Sequence, residues 1–250
     1  MSMATKKKQE SGFAETVRVI LHALLIALVI RTFLFQPFNI PSGSMIATLL
    51  VGDYLFVSKY SYGYSRFSFP FSPNLFTGRV WAGSPERGDV VVFKLPKDDA
   101  TDYIKRVIGL PGDRIQMISG VLHINGEPVK RERVADYVSD DPDSRGQPVR
   151  RYRETLPNGV SYEVLDLVEN GFYDNTPVYE VPPGHYFMMG DNRDNSTDSR
   201  VLSQVGYVPY DNLIGRAQII FFSIEEGRHA WEFWTWPTSV RWSRLFTLVR

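Results

Sequence analysis

The chain of 250 residues contains no cysteine, which excludes disulfide frameworks, a thiol nucleophile, iron–sulfur clusters and the common cysteine-based zinc sites. It carries no surplus of either charge, with 28 Lys and Arg against 28 Asp and Glu. A nucleic-acid binder needs a basic excess to neutralise phosphates, so no nucleic-acid partner is expected. Histidine is scarce: only His22, His123, His185 and His229 occur, none within a recognisable triad motif. Nor is there an unbroken apolar run of the ~20 residues a membrane span needs. The cleanest stretch, 19–30, is twelve residues long and includes His22. The 16 Pro and 19 Gly are scattered, which favours turns and short strands over long helices.

What is present begins with an anchor. If Arg18 and Arg31 lie at the two interfaces and extend their charges outward, residues 13–35 supply 23 positions, enough to cross. A cleavable signal peptide would show small residues in an A-x-A arrangement after the run. The sequence there is Arg31-Thr-Phe-Leu-Phe-Gln-Pro-Phe, which points to an uncleaved anchor; a buried core helix is the plainer alternative. Lys6, Lys7, Lys8 and Arg18 precede or open the run, against Arg31 alone until Lys59. The positive-inside rule therefore expects residues 1–12 in the cytoplasm and everything after residue 35 outside.

From residue 36 the pattern turns to strands. The runs 53–59, 89–94 and 103–108 are short, β-rich and bounded by Gly, Pro or Asp. Asn125-Gly126 and Asn158-Gly159 signal hairpins, and the pattern resumes at 179–181, 186–189 and 217–223. Residues 130–153 are charged and irregular, and read as an exposed excursion. The expected fold is mostly β: an irregular antiparallel domain over 36–228 with a smaller β-insertion at about 120–182, tethered by one N-terminal transmembrane helix. The tail, 229–250, holds four of the five Trp among Arg241, Arg244 and Arg250. It suits a membrane interface or a tail packed on the domain equally. Phe67, Phe69, Phe71 and Phe76 suit a core hairpin or, slightly better, a lipid-facing edge.

Three blocks could carry chemistry. Ser42-Gly43-Ser44 directly follows the anchor and is by itself only a turn; a nucleophilic Ser needs a base within reach. Spacing does not exclude a His as that base, and nothing in the sequence supports one. A second candidate is Lys105, which strand alternation puts on one face with Tyr103 and Val107. A free lysine is neutral ~0.04% of the time at pH 7, and lowering its pKa by about three units is within what burial achieves. The third block, 189–200, alternates Asp191, Asp194 and Asp198 with Arg193 and Arg200. It fails the EF-hand template and reads as a rigid Asp/Arg-braced loop able to hold Ser196 or Ser199 against another site.

Taken in order, an anchor, PSGSM…TLL-x-GD, RGDVVVF, DYIKRVIGLPGD and GDNRDNSTDSR resemble bacterial type I signal peptidases. The resemblance implies a Ser/Lys dyad, with Ser44 as nucleophile and Lys105 as general base. It implies an oxyanion hole from the Ser42 hydroxyl and the Ser44 N–H, and Ser196 orienting the Lys105 amine. It further implies Asp198 and Arg200 bracing the loop, and Met45, Tyr103 and Ile104 lining a substrate groove. The activity implied is removal of signal peptides from exported preproteins, cut after small residues at −1 and −3, with no cofactor and no metal. The setting implied is the bacterial plasma membrane, with lipid as a partner and the export machinery upstream. Ala47 stands where many members have Pro. Two other readings are a self-cleaving repressor-type Ser/Lys protease, whose effector segment the anchor replaces, and a catalytically silent, membrane-tethered β-domain that binds exported peptides. The silent domain would be expected to lack Ser44 or Lys105, and both are present.

Overall fold

The computed structural model describes residues 12–74, 76–139 and 147–250; the Lys6–Lys8 cluster and the centre of the charged excursion lie outside them. The helix α1 (Gly12–Phe33) has 22 residues. At ~1.5 Å per residue it is about 33 Å long, enough for a ~30 Å hydrocarbon layer. Its apolar side chains point outward on all sides, and only Thr32 is buried. A core helix would be covered by protein, so that alternative is excluded. His22 satisfies a ring nitrogen against the Arg18 carbonyl one turn back, at 2.7 Å, which lowers the cost of a polar side chain in the span.

Fifteen strands follow among the described residues, all paired antiparallel. The largest sheet runs β1 (Phe35–Asn39), β2 (Asp53–Ser58), β14 (Leu213–Ser223), β3 (Val90–Lys94), β4 (Asp102–Gly109), β12 (His185–Met189) and β13 (Val208–Pro209), with β15 (Thr247–Leu248) on β14. Register shifts in β14 and between Phe187 and Met188 curl it. Alternation in β2 sends Leu55 and Val57 into a core with Ile40, Leu49 and Ile220. Tyr54 and Phe56 face outward, where Phe56 stacks on Phe221 at 4.3 Å. A second sheet joins β11 (Tyr179–Glu180), β5 (Arg114–Ile118), β6 (Val121–Ile124) and β7 (Glu127–Pro128). Asn125 and Gly126, both at positive φ, make the hairpin expected between β6 and β7. The third sheet is β10 (Ser161–Asp166), β9 (Arg150–Thr155) and β8 (Lys130–Arg133).

This third sheet corrects the reading of 130–153 as an exposed excursion. Both described ends of that segment are paired strands, and their charges are matched across the sheet. Asp166 takes Arg131 and Arg150, each at 2.8 Å, and Arg131 lies over the Tyr152 ring. The charge density that suggested an irregular loop is a cross-strand ladder. The aromatic run divides: Phe67 is in the core, Phe69 meets Phe33 and Phe76 edge-on, and Phe71 is fully exposed. The tail divides too. Arg244 pairs with Asp53 and Arg241 bonds the Val51 and Ile224 carbonyls, whereas Trp231, Trp234 and Trp242 are exposed.

Candidate active site

Ser44 lies in a single 3₁₀ turn, Gly43–Met45, between β1 and β2. The turn is held from outside. Asn192 donates its backbone N–H to the Ser44 carbonyl and its side-chain amide to the Gly43 carbonyl, each at 3.1 Å. Ser42, at the turn's start, caps no backbone group, and its hydroxyl lies 3.5 Å from Ser44 Oγ. Within so short a turn the first N–H groups have no intrahelical acceptor. The Ser42 and Ser44 hydroxyls lie side by side at the start of the turn.

Lys105 reaches this turn from the middle of β4. Its Nζ is 2.7 Å from Ser44 Oγ and 2.8 Å from the Ile104 carbonyl. The side chain is 4% exposed, Val91 of β3 stands opposite it in register, and its ammonium lies 5.4 Å from the Tyr103 ring. Burial lowers its pKa to about 8, against a smaller upward pull from Asp198 and Asp191. At that value ~10% of the amine is neutral at pH 7, some two hundred times the share of a free lysine. None of the four histidines borders the groove beside Lys105.

The loop after β12 closes the arrangement. Its first residue, Gly190, accommodates a close approach: a Cβ there would lie 2.2 Å from Ser196 Oγ and 2.6 Å from the Ser44 carbonyl oxygen. Asp198 receives Arg200 through two bonds of 2.9 and 2.8 Å and the Gly190 N–H at 3.0 Å. Burial works to raise the Asp198 pKa, but Arg200 and these hydrogen bonds outweigh it and hold it below the ordinary value. The loop is also bolted to β4 and to the third sheet. Arg106, fully buried on the strand face opposite Lys105, forks onto Asp191 at 2.9 and 2.7 Å, and Thr48 joins them. Arg193 pairs with buried Glu154 of β9, and Asn192 bridges to Leu165 of β10.

A groove of about 590 Å³ runs past these groups, bordered by Ser42, Ser44, Tyr103, Ile104, Lys105 and Ser196, with Asn195, Thr197 and Gln204 beyond. Residues 102–105 of β4 pair with β3 on one edge, whereas β12 joins the other edge only from Arg106 onward. That leaves a strand edge open along the groove. Two expectations need adjusting. Met45 is fully buried among Ile40, Leu49 and Leu55 and does not border the groove. At three residues per turn it points ~120° away from Ser44. Ser196 Oγ is buried beside the site, and the second contact of Lys105 is the Ile104 carbonyl rather than Ser196. Sequence reasoning passed over Asn192, Gly190, Thr48 and the Arg106–Asp191 pair. Asp191 and Asn192 stood within a block noticed for its acid–base alternation, but what they bind is remote in sequence.

Comparison with known proteins identifies the family. The model of the family "Signal peptidase, peptidase S26" matches residues 13–222. Signal peptidase I of Rickettsia typhi is 45% identical over 97% of this chain and 94% of its own length. The Rickettsia prowazekii protein of the same name is 44% identical over 98% and 94%. A crystal structure of a signal peptidase I from Enterococcus faecalis, 25% identical, aligns over 53% of this chain and 96% of its own with a TM-score of 0.31. A match that takes in the apolar helix, the Ser44 turn, the Lys105 strand and the 190–200 loop together leaves one assignment: this chain belongs to the signal peptidase family, peptidase S26.

Proposed function

We propose that the chain is a membrane-anchored serine endopeptidase that removes N-terminal signal peptides from exported preproteins, using Ser44 as nucleophile and Lys105 as general base. The observation that carries this reading is the 2.7 Å approach of a buried lysine amine to a serine hydroxyl that borders an open groove. Neutral Lys105 takes the Ser44 proton as Oγ attacks the scissile carbonyl carbon. The carbonyl oxygen becomes an oxyanion and accepts from the Ser42 hydroxyl and the Ser44 N–H. As the C–N bond breaks, the Lys105 ammonium returns a proton to the leaving amine. Water then attacks the Ser44 ester carbon, losing a proton to Lys105, and as the C–Oγ bond breaks the Lys105 ammonium returns that proton to Ser44 Oγ and the signal peptide leaves as its C-terminal acid. Ser196 orients the amine once substrate displaces solvent, and the Asp198–Arg200 pair keeps the loop rigid.

A cleavage-site segment binds extended, adding itself to the free edge of β4 at 102–105, so that alternate side chains face the groove wall at Ile104 and Tyr103. Shallow subsites of this kind accept small residues at −1 and −3. The helix α1 is the anchor, and the basic residues before and at the start of it favour an N-terminus in the cytoplasm of a bacterium. The catalytic domain then works on the extracytoplasmic face of the plasma membrane, downstream of export. The outward aromatic face, from Phe35 through Phe56 and Phe221 to Phe222 and Trp236, with Trp231 and Trp234 exposed beyond it, suits contact with lipid. The test is cleavage of a preprotein bearing an A-x-A site by detergent-solubilised full chain. Wild type is expected to cut after the −1 residue and Lys105→Met, still folded, is expected not to. Equal cutting by the variant would place the base elsewhere, and no cutting by wild type would point to a peptide-binding domain.

A further inference from the structure

Lys59, at the end of β2, is the second deeply buried lysine, and the dyad makes no use of it. It is 2% exposed, its Nζ donates to the Ser68 carbonyl at 2.5 Å, and no carboxylate pairs with it among the described residues. It lines a small pocket of about 120 Å³, a fifth of the groove's size, together with Arg31, Lys94, Asp102 and Phe71. Lys94 is paired with Asp102 at 2.8 Å, while Arg31, on the last turn of α1, forms no ion pair among the described residues. Three cations against one carboxylate leave the pocket with an excess of two positive charges. Burial, then Arg31, lowers the Lys59 pKa to about 8, with Lys94 adding to the effect and Asp102 opposing it. A buried ammonium without a counter-charge is costly, and an anion in the pocket would remove that cost.

The position of the pocket selects the anion. Arg31 lies two residues before the end of α1, where a span of this length leaves the hydrocarbon and meets the headgroups. Phe71, fully exposed on the rim, is placed to enter the acyl region. We propose that Arg31, Lys59 and Lys94 form a binding site for the phosphate of an anionic phospholipid, in the leaflet that holds the C-terminal end of α1. The site rests on the reading of α1 as a membrane anchor. Asp102 borders both this pocket and the catalytic groove, so the bound headgroup would lie next to the groove's mouth.

The test uses purified full chain in neutral detergent with short-chain phosphatidylglycerol, short-chain phosphatidylcholine or inorganic phosphate, and native mass spectrometry to count what stays bound. Phosphatidylglycerol is expected to be retained in preference to phosphatidylcholine. Arg31→Gln and Lys59→Met are each expected to weaken that retention by about tenfold or more, the scale of a lost charge-assisted hydrogen bond. Full retention by Arg31→Gln overturns the proposal, since that exposed change leaves the fold intact and any loss in Lys59→Met alone would be a folding defect. Equal retention of phosphatidylcholine overturns it as well. Displacement by inorganic phosphate at matching concentration would mean a free-anion site and overturns the lipid assignment. Cleavage of a short soluble peptide by the same variants is expected to be unchanged, which keeps a failure here distinct from a failure of the dyad.

Discussion

Lys59 and Lys105 are a matched pair with different outcomes. Both are almost fully buried, Lys105 within β4 and Lys59 just past the end of β2, and burial is the leading reason that the pKa of each is lowered to about 8. Lys105 has a serine hydroxyl at 2.7 Å in a groove wide enough for an extended chain. Lys59 has a backbone carbonyl and cationic neighbours at the foot of the anchor. Burial therefore makes an amine available, but the atom facing it decides whether it becomes a base. Asp198 and Asp191 moderate Lys105 from the 190–200 loop, so its proton affinity is set partly by residues far away in the chain.

The largest separation between the two lysines is expected in turnover. Lys105→Met and Ser44→Ala should each lower peptide cleavage by roughly 10³–10⁴-fold, and the double variant should be no worse than either, because the pair acts as one unit. Lys59→Met should cleave a soluble peptide like wild type; a comparable loss there would break the contrast. Steady-state kcat/KM on one peptide compares the four variants with wild type.

The pH dependence sharpens the contrast. Because only neutral Lys105 can act, kcat/KM should rise about tenfold per pH unit and level off above about 8, with the same profile in Lys59→Met. Stability should behave differently. A lysine whose pKa is lower folded than unfolded binds its proton more readily in the unfolded chain between those two values. Unfolding free energy should therefore gain from each lysine as pH rises from about 8 towards 10.5, and the gain is lost as pH falls back. Thermal midpoints across that window should show a reduced slope in either Met variant, whereas only Lys105→Met alters activity. Asp198→Asn should move the activity limb to lower pH, since it removes a charge that favours the protonated amine. It should also cost about 3–5 kcal/mol by stranding buried Arg200.

Two smaller effects concern the loop. Gly190→Ala forces a methyl group against Ser196 and the Ser44 carbonyl, and is expected to destabilise by about 1–3 kcal/mol and to lower kcat. Denaturant midpoints and kinetics on the same samples check it. Ser196→Ala should lower kcat/KM by roughly two- to tenfold, the scale of a single hydrogen bond, and shift the acid limb slightly. A profile identical to wild type would remove Ser196 from the positioning of the base.

Much of this was legible in one dimension. The strands at 53–59, 89–94 and 103–108 were marked by β-branched runs between Gly, Pro and Asp, and each formed within a residue or two of its expected bounds. The motifs in sequence order named the Ser44 turn, the Lys105 strand and the loop from 190. Less visible were the residues whose partners are distant. Asn192 looks like any loop asparagine until its two bonds to Gly43 and Ser44 are seen. Arg106 looks like a solvent-facing strand residue, yet it is fully buried because Asp191 and Thr48 meet it from two other segments. Met45, which the family resemblance implies at the groove, is instead rotated into the core by the tight turn.

Local chemistry alone determined the anchor, the alternation of the strands, the tight turns and the absence of thiol or metal–thiolate chemistry, since each depends on residues within a few positions of one another. The tertiary structure decided which buried lysine faces a serine hydroxyl. Ser44 and Lys105 are 61 residues apart, and the desolvation that frees the amine comes from β3, β4 and the 190–200 loop converging on one point. Proton affinity depends on everything within a few ångströms in space, and no window along the chain contains that neighbourhood.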